Sequence, residues 1–390
     1  MGDSKMMVMG TGFPRKIDFS SLRCSLMEDG SCKGSWNEAG SYRNDSMLLE
    51  LMTGNLLTFD TSTVSSGRRL HKMVYMMTQE PAGDQLILAT GGYDHTIKLW
   101  QAHTGNCIRT MQHEESQVNC LDRTPDKLML AAGGYQCIRL YDMTSNSSSP
   151  IINFEGITKN ITRLGFQEDG KWMFTSGEDC KVRIWDMSSA NPQCKRMFDC
   201  PTPINSACLH PNQVEMAIGS QGGGVYLWDV KSDVHEQLIP EVDASVQDIT
   251  ISPNGMYMAA VNNKGNCYVW SLSSSSDQQL SIVEPKMKIP AHKRYALRCK
   301  FSPDSSLLVT TSGDGTARIW NVGQFDLYRE LKLDRWVWDA AFSADSKYLF
   351  TASSDSIARL WKLDKSEIER EYMGHQKAIT ALSFKDEIVS

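Results

Sequence analysis

The chain has 390 residues, 41% of them hydrophobic and 22% charged, with a net charge of −6. This is the make-up of a soluble globular protein with room for one large domain or two to three ordinary ones, and it excludes the basic field needed by nucleic acid or anionic lipid. No apolar run approaches the ~20 residues that cross a bilayer, no signal-peptide core opens the chain, and the 11 cysteines show neither C-x-x-C nor zinc spacing, so a cytoplasmic protein without membrane insertion is expected.

Residues 1 to about 78 carry Ser, Gly and Met without sustained periodicity, apart from runs such as "MLLELMTGNLLTF". They are expected to be a mostly disordered extension. Methionines 73, 76 and 77 stand just before the first regular element, which leaves two readings open, translation of the whole extension or a start near Met73 that intact mass would reveal.

From about residue 79 to 390 the chain repeats itself. Seven segments line up: "LILATGGYDHTIKLW", "LMLAAGGYQCIRLYD", "WMFTSGEDCKVRIWD", "EMAIGSQGGGVYLWD", "YMAAVNNKGNCYVWS", "LLVTTSGDGTARIWN" and "YLFTASSDSIARLWK". Each is a pair of short apolar runs around a Gly, Asp or Asn turn, the sequence form of a hairpin. Their aromatic anchors are Trp100, Tyr141, Trp185, Trp228, Trp270, Trp320 and Trp361, spaced 41, 44, 43, 42, 50 and 41 residues apart. A period of roughly 40–45 is that of the WD repeat, one four-stranded propeller blade each. The expected fold is therefore all-β, a seven-bladed WD-repeat β-propeller.

An inner strand precedes every segment but the first, and a seventh, "ITALSFKDE", ends the chain. Ring closure by this C-terminal strand in the first blade removes the unpaired edges of an open array.

In four segments a Thr stands four residues before an Asp and a Trp six after it: Thr90/Asp94/Trp100, Thr175/Asp179/Trp185, Thr310/Asp314/Trp320 and Thr351/Asp355/Trp361. WD-repeat proteins join these types to a loop histidine in a buried tetrad, and the chain resembles that pattern fully with His375 for Trp100 and His292 for Trp320. A buried aspartate needs hydrogen-bond partners, which makes these residues structural. Gln136, Tyr141, Gly223 and Lys264 depart from the rule, so their blades are expected to be held more by packing than by a polar network.

Chemical motifs are scarce. The run "SQGGGVYLW" has no helix behind it to hold a phosphate, the sequons at Asn146 and Asn160 read as chance in a cytosolic chain, and "SLSSSSDQQ" lengthens one loop. No nucleophile elbow, Walker motif or zinc signature is present. The expectation is no enzyme and no catalytic, cofactor-binding or metal residue.

The strings "TGGYDHTIKLWQAHTGNC", "CLHPNQVE", "HEQLIPE", "KIPAHKRYALRCKFSPDS" and "EIEREYMGHQKAI" resemble the G-protein-β-like family, also called lethal-with-Sec-thirteen eight, from about Leu86 to Ser390. The resemblance covers loops as well as scaffold. It implies a non-catalytic scaffold or regulatory subunit of TOR (target of rapamycin) kinase complexes that binds and stabilises the kinase domain, in signalling that regulates cell growth and actin organisation. TOR kinase and other complex subunits are the implied partners of a monomeric propeller. No coiled-coil heptads mark a γ-subunit partner. The alternative is a generic WD-repeat adaptor or ubiquitin-ligase substrate receptor, which needs a docking motif not found in residues 1–78.

Aligned inner strands put two rim positions at each start: Gln117 and Asn119, Asn160 and Thr162, Pro203 and Asn205, Ser245 and Gln247, Tyr295 and Leu297, Trp336 and Trp338, Ala378 and Thr380. Most are polar or small. Tyr295, Leu297, Trp336 and Trp338 form one apolar sector, expected to be a partner-binding hot spot or, alternatively, filler between blades. Gln117, Asn119 and Asn160 complete the candidate partner-binding set.

Overall fold

The computed structural model describes residues 86–189, 192–273 and 280–386, with four short strands nearer the N-terminus. The chain divides into two units, Met1–Gln85 and Leu86–Ser390. The first contributes two antiparallel hairpins, Ser25–Leu26 with Cys32–Lys33 and Ser46–Glu50 with Leu56–Asp60. Its remainder, and the expectation of disorder over residues 1–78, lie outside the described residues, as do positions 274–279 of the serine-rich loop.

In the second unit the described residues form seven four-stranded antiparallel sheets and no helix. We number the blades by their anchors, from Trp100 (blade 1) and Tyr141 (blade 2) to Trp361 (blade 7). Burial grades outward across each blade. The second strand of blade 1, Ile87–Gly92, is almost wholly buried, whereas the outermost strand of blade 3, Gln193–Asp199, is mostly exposed. That gradient explains the continuous apolar runs of second strands and the mixed character of outer ones.

The inner strands of blades 1 to 7 are Ile379–Phe384, Val118–Arg123, Ile161–Phe166, Ile204–Leu209, Val246–Ile251, Ala296–Phe301 and Val337–Phe342, each beside the next in a closed ring. Ile379–Phe384 pairs with Ile87–Gly92 to complete blade 1, so the expected closure holds. The core consists of seven apolar clusters, one between each pair of neighbouring blades. Between blades 1 and 2, Ala89, Leu99 and Met111 meet Val118, Leu130 and Tyr141. Blade contact there is so close that a Cβ on Gly91 would lie 2.4 Å from Val118 Cγ1.

One irregularity recurs in every blade. Each inner strand slips register around its second residue, at Asn119, Thr162, Asn205, Gln247, Leu297, Trp338 and Thr380. A β-bulge leaves its extra residue unpaired and re-aims the side chain. All seven bulged residues accordingly line one cavity of about 300 Å³ at the mouth of the central channel.

Candidate protein-binding rim

The rim is held in place by the tetrads behind it. In blade 1, His375 Nε2 lies 2.7 Å from Thr90 Oγ1 and Nδ1 lies 2.8 Å from Asp94, while the Trp100 indole donates to Thr90 at 2.8 Å. In blade 6, His292 stands 2.8 Å from Thr310 and 3.2 Å from Asp314, and Trp320 donates to Thr310 at 3.0 Å. Burial works to raise the pKa of both aspartates, but the histidine bonds, the neighbouring threonines and backbone N–H groups outweigh it and hold them well below the usual carboxylate value.

Blades 3 and 7 keep the Trp-to-Thr bond at 2.9 Å and satisfy the aspartate with an arginine four residues on, Arg183 to Asp179 at 2.6 Å and Arg359 to Asp355 at 2.7 Å.

Two of the departing blades carry polar networks of their own beside the packing expected to hold them. In blade 5, Glu241 accepts from Asn262, Asn266 and the Tyr268 hydroxyl at 2.6–2.9 Å. These bonds, led by Tyr268 and opposed by burial, lower its pKa to about 2. In blade 2, His113 sits between the Tyr141 hydroxyl, 3.0 Å away, and Cys137 Sγ, 3.2 Å away. Burial first, then the charge of Arg139, lowers its pKa to about 3. Neither network is visible from the Thr/Asp/Trp spacing, because the carboxylate or imidazole comes from a loop of the preceding blade.

On this frame the bulged residues split into two groups. Asn119 Nδ2 donates to Ile161 O of the next blade at 3.1 Å, Thr162 Oγ1 to Ile204 O at 2.9 Å, Asn205 Nδ2 to Val246 O at 2.7 Å, and Thr380 Oγ1 to Val118 O. Each bond latches one blade to its neighbour. Gln117 and Asn119 also donate to Asn160 Oδ1 at 3.1 and 3.2 Å, and Asn160 Nδ2 donates to Glu178 at 3.0 Å. Three of the candidate residues are thus joined in one amide cluster whose side chains already have partners.

The other group is Gln247, Leu297 and Trp338. Gln247 bonds Ser245 of its own blade at 3.1 Å, and the Trp338 indole donates to Ser354 of its own blade at 2.7 Å. Around them the structure assembles an aromatic arc. Tyr295 and Trp336 have ring centroids 6.4 Å apart, Trp336 and Trp338 5.4 Å, and Trp338 and Tyr93 6.0 Å. Tyr295, Trp336 and Tyr93 are 51, 36 and 39% exposed, while Trp338 and Leu297 are half-buried at the cavity wall. Gly313 permits the arc, since a Cβ there would stand 3.2 Å from the Trp336 indole.

Tyr93 was missed because it follows the second strand of blade 1, 243 residues before Trp336. The available signal was its place in the turn. The backbone N–H of the equivalent residue in five other blades, as in Tyr93 itself, donates to the first rim residue's carbonyl; Tyr93 to Ala378 O and Ser354 to Trp336 O are both 3.0 Å.

Below the bulges lies a belt of charge. Arg163 donates from Nε and Nη2 to Asp248 at 3.2 and 2.6 Å, Ser206 donates to the same oxygen at 2.5 Å, and Lys300 pairs with Asp339 at 3.0 Å. Burial opposes ionisation of Asp339, and the charges of Lys300, Arg298 and Arg163 outweigh it, so its pKa is lowered. Among the described residues no cluster of His, Cys, Asp and Glu is placed to hold a metal ion.

The WD domain, G-beta repeat family matches residues 71–101, 105–142, 148–186, 283–321 and 328–362. Blade 4 and the first three strands of blade 5, whose turns carry Gly223 and Lys264, fall in the unmatched interval. The chain is 70% identical over 307 residues to the protein LST8 homolog of Drosophila melanogaster, covering 78% of this chain and 98% of that one. It is 53% identical over 315 residues to the target of rapamycin complex subunit LST8 of Bos taurus, covering 78% and 97%. To the target of rapamycin complex subunit wat1 of Schizosaccharomyces pombe it is 46% identical over 260 residues, covering 66% and 81%.

Proposed function

The chain belongs to the LST8 family of WD-repeat proteins, and from that membership we propose that it is a non-catalytic subunit of TOR complexes whose aromatic arc docks on the TOR kinase itself. The relatives carry the subunit role in their names. The observation that supports the docking site is the contiguous run Tyr295, Trp336, Trp338 and Tyr93 on a rim whose other positions are mostly polar or small.

Solvent-facing Trp and Tyr beside a half-buried neighbour are the composition of a hot spot. The closed ring is rigid, so little conformational entropy is lost when it docks. The kinase domain is stabilised by the contact, and the complex acts in signalling that controls cell growth. The nine described cysteines are all free thiols, in keeping with a cytoplasmic site of action.

Affinity purification of the tagged chain, wild type against the double variant Trp336→Ala/Trp338→Ala, tests the reading. A TOR kinase among the main wild-type partners, lost in the variant, is the expected result. Retention of the kinase by the variant sinks the arc as docking site, and a ubiquitin ligase in its place sinks the kinase assignment.

A further inference from the structure

Arg298 stands out in the charged belt. It is the residue after the bulge in blade 6 and lines the mouth cavity, while its neighbours' acceptors are already engaged. Asp248 Oδ1 takes Arg163 and Ser206, and its Oδ2 takes the Cys299 N–H at 2.9 Å. Asp339 takes Lys300 and the N–H groups of Ala340 and Leu382, both at 2.9 Å. What remains for Arg298 is an approach of 3.7 Å to Asp248, with no side-chain hydrogen bond among the described residues. Arg163, Arg298 and Lys300 share two ion-pair partners, Asp248 and Asp339, while Asp122 farther along the channel pairs with Lys385.

We infer that the floor of the mouth cavity is an oxyanion site, in which Arg298 presents its guanidinium to a carboxylate or phosphate group entering from the rim. A planar guanidinium fork suits such a group in paired geometry, and about 300 Å³ admits one. Burial, then the charge of Arg163, lowers the pKa of Arg298, as expected for a cation that its own protein compensates incompletely. Glu178 lines the same cavity but belongs to the rim, where it accepts from Asn160.

The oxyanion has two sources, a free anion or an acidic side chain of a partner seated on the arc, since Trp338 borders both arc and cavity. The second source rests on the docking reading above.

Inorganic phosphate titrated into the full chain at constant ionic strength, against chloride and read by calorimetry, separates them. For a free anion, wild type binds saturably and Arg298→Gln binds at least ten-fold more weakly. Gln247→Glu weakens it likewise, because it puts a carboxylate on the same wall without altering the belt, and so keeps the test alive if Arg298→Gln does not fold. For a partner's side chain, wild type ignores phosphate, yet both variants lower kinase recovery at least ten-fold at unchanged melting temperature. Equal phosphate binding by wild type and variants overturns the site, as does indifference in both arms. Failure of the docking reading shows separately, in kinase recovery by the Trp336 and Trp338 variants.

Discussion

The latched half of the rim and its aromatic half begin from the same backbone event, a bulge in the inner strand, and use it differently. Asn119, Thr162, Asn205 and Thr380 turn the re-aimed side chain onto the next blade's carbonyl. Leu297 has no group to donate, and Trp338 directs its indole N–H to Ser354 within its own blade. Where the latches run, the rim's polar groups are consumed by the fold and offer a partner little. Where they stop, Gln247, Leu297 and Trp338 hold the same positions, and Trp338 joins the partly exposed arc of rings. The contrast teaches that a bulged side chain here either latches onto the next blade or makes no bond to it, and on the docking reading proposed above the second kind is open to a partner.

The contrast can be broken at either half. The largest effect is expected from removing residues 374–390, which takes away the Thr380 latch together with the inner strand of blade 1. Calorimetry should then show no cooperative melting transition, and a truncated chain that melts like full length would contradict the closure.

Next, Trp336→Ala with Trp338→Ala should weaken kinase binding by ~100-fold or more, since hot-spot truncations cost about 2 kcal/mol or more each. The melting temperature should hardly move. A large drop would place the indoles among the packing residues instead.

On the latched half the signs reverse. Asn205→Leu leaves Val246 O without its side-chain donor and should cost about 1–3 kcal/mol of stability in denaturant titration, with kinase recovery unchanged.

The smallest effect concerns blade 2, also on the latched side. Burial holds His113 neutral in the folded chain, its pKa lowered to about 3, whereas the unfolded chain takes up a proton near pH ~6.5. Above that pH the group adds no pH dependence. As pH falls through it the unfolded state binds the extra proton, so stability declines by up to ~1.4 kcal/mol per pH unit. His113→Gln should flatten that slope between about pH 6.5 and 5, read as melting temperature against pH.

Much of this was legible in the residues. Repeat spacing marked the blades, the Thr/Asp/Trp sets with His292 and His375 marked two tetrads, and the orphaned strand at the C-terminus marked the closure. The rim alignment found Trp336, Trp338 and Tyr295 because inner strands share a common register. The rest depended on partners far apart in sequence. Tyr93 joins the arc only because blade 1 closes against blade 7. Glu241 organises blade 5 from a connecting loop, and nothing near Lys264 announces it. The belt of Arg163, Asp248, Arg298 and Asp339 interrupts otherwise apolar inner strands, but which charges meet is settled by the ring. The bulges left no mark at all, since Asn, Thr, Gln, Leu and Trp all occupy them.

That indifference to residue type has a consequence for how such a protein can be altered. The unlatched bulged positions behave as a short address written on a fixed envelope. Hydrophobic clusters between blades, tetrads behind the rim and the four latches sustain the architecture, while the unlatched letters, Gln247, Leu297 and Trp338, can be rewritten with fewer repercussions for folding. On the docking reading, a protein engineer seeking a new binder would begin with those three letters and leave the four latches alone.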